Sequence, residues 1–200
     1  SLPNQITPVG QPQAPAVAKT LPELRALVNS PASGLSKEAV TLINAFLDSP
    51  LADTLDGLTV KIQDVVETGW DGSYFQGVVE LARNADPKAG VHEFLHRAWE
   101  VLPQDIKAEF ERMRVESLKD ELLKTEDETR KQQIQDLIDN PTSGTADFLA
   151  RGLPRDLYEL SRAEELFTHS GSDQFKAKVG SIKEGFWARV KEFLKDFIAA

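Results

Sequence analysis

The sequence predicts a mainly helical α+β fold, with a small N-terminal antiparallel sheet or hairpin packed on a helical core. Three observations carry that reading. Apolar residues recur at spacings of three and four over most of the chain, and alternating apolar residues are confined to residues 59–81. Helix caps and Pro/Gly breaks separate the periodic segments.

Residues 1–20 are rich in Pro, Gln, Ala and Gly without apolar period, and read as a flexible linker. Residues 21–200 are expected to form a single domain. Residues 21–28 form a short amphipathic helix candidate. Ser36 is a suitable N-cap for a helix over residues 37–48, with Val40, Ile43, Phe46 and Leu47 on one stripe. Residues 59–65 alternate with period two and read as a strand, and residues 69–73 as a turn cluster. Tyr74–Phe75 and residues 78–81 then pair as a hairpin around Gly77.

A helix follows, with Asp86 as N-cap, Pro87 at the first helical position and Pro103 ending it after Leu102. Val91, Leu95, Ala98 and Leu102 form its core-facing stripe. Residues 104–139 are helical and strongly charged, and Ile106, Phe110, Met113, Ile134, Leu137 and Ile138 supply the apolar contacts. Thr145 caps a short helix over residues 146–150, and Gly152 and Pro154 break it. A helix from Pro154 or Arg155 to Thr168, a turn at residues 171–173 and an amphipathic helix over residues 181–198 complete the chain. Trp70, Trp99 and Trp187 are core candidates, with Trp99 nearest the site described next.

A formal net charge of −9 argues against a nucleic-acid or anionic-membrane surface, because affinity there comes from Lys and Arg meeting phosphates. No apolar run reaches the length of a membrane span. There is no cysteine, so thiolate metal sites and disulfides are excluded. The first residues do not resemble a natural start, which leads to the expectation that the chain is part of a larger polypeptide.

Two of the three histidines stand in the run His92-Glu93-Phe94-Leu95-His96. Positions i and i+4 of a helix share a face, so both imidazoles can reach one Zn²⁺, with Glu93 beside them as a general base. Zinc in hydrolases takes three protein ligands, and here the third must be His169 or a carboxylate. The segment Arg162-Ala-Glu-Glu-Leu-Phe-Thr-His169 is the evident supplier.

The hairpin leading into H-E-x-x-H, the charged helical interval, the Glu164-Glu165-Leu166-Phe167 helix and the terminal amphipathic helix together resemble a gluzincin-type metallopeptidase. The likeness is to the metallopeptidase modules of large phage and prophage polyvalent proteins, and more distantly to the catalytic domain of anthrax lethal factor. It implies a zincin-like core in which Glu165 completes the metal site, with Glu164 as the fallback. It also implies that Tyr158, seven residues before Glu165, stabilises the oxyanion. The strand before the H-E-x-x-H helix would be an edge to which an extended protein or peptide substrate adds, which would put Tyr74 to Leu81 beside the cleft.

Three features depart from the family pattern. Arg97 follows the second histidine, His169 stands where an acidic residue is usual, and the interval from His96 to Glu165 is long. The resulting expectation is a zinc-dependent endopeptidase module of a phage or prophage protein. The competing expectations are a catalytically inactive zincin-like scaffold, and a helical interaction domain that binds a partner through its charged helices.

Overall fold

The structure is a computed structural model that describes residues 13–64, 66, 71–177, 190 and 192. Among the described residues it is mainly helical, with one four-stranded sheet whose strand order is β1-β2-β4-β3. The strands are β1 (Ala16–Ala18), β2 (Thr59–Gln63), β3 (Gly72–Phe75) and β4 (Val78–Ala82). The helices are α1 (Leu21–Val28), α2 (Lys37–Leu47), α3 (Ala89–Val101), α4 (Gln104–Lys124), α5 (Glu128–Asp139), α6 (Thr145–Ala150) and α7 (Ala163–Ala177). Short 3₁₀ helices occur at Pro31–Ser33, Pro50–Leu55 and Arg155–Leu157. No helix among the described residues is long and apolar enough to cross a membrane.

Local chemistry accounts for most boundaries. Thr20 and Ser36 accept the N–H of the third helical residue, as Ser and Thr caps do, and start α1 and α2. In β2 and β4 buried and half-exposed residues alternate, because successive side chains of a strand point to opposite faces. The β3–β4 hairpin turns on Gln76 and Gly77, both at positive φ (47° and 78°), the backbone that a tight two-residue turn needs.

The sheet is mixed where an antiparallel one was expected. β3 pairs antiparallel with β4, but β4 lies parallel to β2, so the chain crosses from β2 to the far edge of the sheet before returning. The segment expected to be a flexible linker also contributes structure. Residues 16–18 pair antiparallel with β2, with Ala18 buried, so the linker cannot extend to residue 20. The cause is a long-range clamp: the Arg83 guanidinium donates to the carbonyls of Ala14, Ala32 and Ser33 and pairs with Asp64 at 2.9 Å.

Three further boundaries differ from expectation. Helix α3 begins at Ala89, and Asp86 instead forms a turn before it, accepting the Lys88 N–H on its carboxylate and the Ala89 N–H on its carbonyl. Residues 171–173 do not turn but lie inside α7, where the Ser172 hydroxyl donates to the His169 carbonyl and Asp173 pairs with Lys88 at 2.7 Å. Gly72 and Ser73 likewise belong to β3 rather than to a turn. The terminal helix expected over residues 181–198, together with Trp70 and Trp187, lies outside the described residues, apart from Val190, which joins the core, and Glu192.

The main core lies between the sheet and α1, α2, α3 and α7. From α3 it takes Val91, Phe94, Leu95 and Ala98, all fully buried, at roughly 1.5–3 kcal/mol for each of the larger side chains. Trp99 faces this interior and packs on Phe110 of α4 and Phe167 of α7, so it braces the helices and does not line the cleft. Gly90 is needed where α3 crosses α2, since a Cβ there would meet the Ile43 side chain at 2.8 Å.

A second apolar cluster joins Leu118, Ile134, Leu137, Phe148, Leu157 and Tyr158. Arg114, 0% exposed, binds the two clusters together. Its guanidinium donates to the Leu137 carbonyl at the end of α5 and to the Leu160 carbonyl just before α7, and it pairs with Glu111. The Leu137 carbonyl is one that a terminating helix leaves without an internal partner. Arg114→Ala should therefore orphan two buried carbonyls and lower stability by roughly 2–4 kcal/mol, read from urea unfolding.

Candidate metal centre

The contact between α3 and α7 builds the site. His92, Glu93 and His96 come from one turn and a half of α3, and Glu164, Glu165 and His169 from the facing side of α7. Because α7 begins at Ala163, with a break after the 3₁₀ turn, both glutamates stand in its first turn, where the helix dipole favours negative charge. The expected continuous helix from residue 154 would have lost that placement.

His92 Nε2 lies 3.6 Å from Glu165 Oε2, and His96 Nε2 lies 3.7 Å from Glu165 Oε1. Taking one donor atom from each residue, the three lie within 4.8 Å of one another. A tetrahedral ion with bonds of about 2.0–2.2 Å separates its ligand atoms by roughly 3.4 Å, so the spacing fits one cation. His92, His96 and Glu165 thus form a group that could hold a metal ion.

The residues around the group fix its orientation. His96 Nδ1 is 2.7 Å from Glu164 Oε1, which turns the other ring nitrogen toward Glu165. That is the carboxylate–histidine pairing usual behind a metal ligand. Glu164 is accordingly a partner of His96 rather than a member of the donor group. Glu165, 0% exposed, receives Arg162 Nη2 at 2.5 Å and the Tyr158 hydroxyl at 3.0 Å, both on Oε1. Its Oε2 is buried without a hydrogen bond, and a buried carboxylate oxygen left bare is costly unless a cation meets it. The chemistry of the donor set therefore fits a metal.

The charges follow from this packing. Burial, with His96 adding to it, holds the His92 imidazole down to about 3, so it is neutral and free to donate a lone pair. For His96 burial acts in the same direction, but the Glu164 hydrogen bond and the Glu165 charge overcome it and raise the pKa. Burial would raise Glu164 and Glu165, yet His96 and Arg162 hold both below the usual carboxylate range. Burial pushes the Glu93 carboxyl up to about 7. Burial and the Glu165 charge push the Tyr158 phenol upward, so it remains a donor.

A cleft of about 1040 Å³ opens over these groups. One wall is β3, with Gly72, Ser73, Tyr74 and Phe75, and the other is the loop and helix start at residues 143–147. Glu93 reaches the cleft beneath Gly72, and a Cβ on Gly72 would meet its Cγ at 2.9 Å. The Tyr74 ring lies parallel to that of His96, with centroids 6.1 Å apart, and its hydroxyl donates to Glu100. Arg97 does not line the cleft; it donates to the carbonyls of Thr54 and Asp56 and pairs with Glu100. Its side chain is thus a structural tie.

In comparisons with known proteins, no family model matches the chain, and no curated protein or solved structure matches it significantly.

The structure brings His92, Glu93, His96, Tyr158, Glu164 and His169 together around Glu165, while Trp99, expected nearest the site, packs away from the cleft. Arg162 was missed, although its i,i+3 spacing to Glu165 is a readable ion-pair signal. Thr145, expected to cap α6, instead bonds the Tyr158 hydroxyl at 2.6 Å, and Gly144 takes the cap position.

Two outcomes follow from this geometry. Glu164→Gln should weaken metal binding by about 10–100-fold in a competition titration, because it loosens His96 while leaving the donor group intact. Glu93 is buried with a raised pKa, so it stabilises the metal-free fold when protonated below about pH 4.5, and that contribution is lost as pH rises through 7. Glu93→Gln should therefore raise the stability of the metal-free protein, by roughly 2–3 kcal/mol more at pH 8 than at pH 4.5 in urea unfolding.

Proposed function

We propose that this chain is a zinc-dependent endopeptidase module that hydrolyses an amide bond of an extended protein or peptide substrate. The observation that carries the reading is the convergence of His92, His96 and Glu165 within 4.8 Å, with Glu93 buried beside them and open to the cleft. His, His and carboxylate with an adjacent glutamate is the donor set of hydrolytic zinc, and the hard oxygen and borderline imidazoles suit zinc over calcium or magnesium. When bound, zinc would polarise the scissile carbonyl and lower the pKa of water.

The chain's own groups supply the rest. Glu93 takes a proton from the attacking water at its carboxylate. It returns that proton to the amine nitrogen as the C–N bond breaks. A carboxyl poised near neutrality suits both transfers. The strand directly before α3, β4, is interior to the sheet rather than the edge expected; the edge is β3, which lines the cleft, so an extended substrate would add to β3 as a further strand. Tyr158 is the proposed donor to the charge developing on the carbonyl oxygen. Its hydroxyl now bonds Glu165, so that role requires it to change partner. Arg162 holds Glu165 in place by a paired contact, Nε at 3.2 Å and Nη2 at 2.5 Å.

The proposed setting is a larger phage or prophage polypeptide, with no nucleic-acid or membrane partner. A second reading, a non-catalytic scaffold of the same fold, is favoured by one observation: His169 stands beside Glu165 with its Nε2 buried and bare. Activity separates the two. Zinc-loaded protein should cleave an unfolded protein substrate, and Glu93→Gln should lower the rate by about 10²–10⁴-fold with zinc content unchanged. Equal inertness of both proteins, fully zinc-loaded, would leave the scaffold reading.

A further inference from the structure

His169 lies one helical turn beyond Glu165 on α7 and so on the same face. Its Nε2 is 3.8 Å from Glu165 Oε2, nearly the distance at which His92 Nε2 approaches the same oxygen, 3.6 Å. The His92 and His169 rings have centroids 4.6 Å apart. Three buried side-chain polar atoms among the described residues have no hydrogen-bond partner, and two of them are Glu165 Oε2 and His169 Nε2. They face each other across a gap too wide for the hydrogen bond of about 2.8–3.0 Å that an imidazole N–H would make to a carboxylate. The gap is close to the separation of two atoms ligating one ion.

We infer that His169 is a fourth protein donor, binding through Nε2 the same ion that His92, His96 and Glu165 hold. The inference rests on the metal-centre reading above. The three-donor group closes without His169, so the inference requires the His169 side chain to turn toward the ion when it binds. Its reach has a consequence for regulation. Four protein donors fill a tetrahedral zinc, leaving no position for water, whereas hydrolytic sites keep one open. The loaded protein then rests closed, and hydrolysis requires His169 to withdraw, which its place at the cleft wall permits.

The chain's three histidines make the test direct. The full chain is labelled with ¹⁵N-histidine and loaded with ¹¹³Cd, and ¹¹³Cd–¹⁵N scalar couplings are recorded. Coupling to the Nε2 of all three histidines is expected. His169→Ala should remove one coupling, retain two, and weaken zinc binding by about tenfold or more, with the circular dichroism of the metal-free protein unchanged. Couplings to His92 and His96 alone, with zinc affinity of His169→Ala within twofold of the parent, would overturn the inference and leave the endopeptidase proposal standing. Failure of the parent protein to take up cadmium or zinc would overturn both.

Discussion

A carboxylate with no exposure to solvent sits where α3 meets α7, and the arrangement of the site follows from keeping that charge in place. Burying an ion costs several kcal/mol unless partners replace its water. Glu165 meets that requirement on one side only: Arg162 and Tyr158 satisfy Oε1, while Oε2 looks toward two imidazoles and is left bare. His92 is held neutral by the same burial and cannot act as a cation there. A metal ion is the partner that would satisfy the bare oxygen and use the neutral imidazole together.

The scaffold around this contact is built to hold it. Trp99, Phe110 and Phe167 pack on one another as a three-ring cluster that joins α3, α4 and α7. Arg114 fixes the carbonyl of Leu160, immediately ahead of Arg162 and the two glutamates. Glu164 orients His96 from behind, and Gly72 lets β3 approach Glu93 without a side chain between them. Rigid elements thus position each group, and the cleft lies along β3, one of the two edge strands of the sheet.

The parts of the fold legible in the sequence are those set by local rules. Ser36 capping, the stripe of Val91, Leu95, Ala98 and Leu102, and the hairpin around Gly77 are short-range patterns, and each is found. What was not legible depends on distant partners. Residues 16–18 read as linker because their pairing with β2 and the hold of Arg83 come from far along the chain. Gly171 reads as a turn, yet packing keeps it helical inside α7. In the site, the imidazole pair followed from helix phasing alone. The division of labour between Glu164 and Glu165 could not, since adjacent residues point different ways only once α7 is docked on α3.

Anomalous scattering at the zinc edge from crystals of zinc-loaded protein tests the central claim most directly. The account predicts a single strong peak within about 2.0–2.2 Å of Nε2 of His92, Nε2 of His96 and a carboxylate oxygen of Glu165. A zinc-loaded crystal with no peak there, or with zinc bound by other groups while Glu165 Oε2 remains bare, would contradict it.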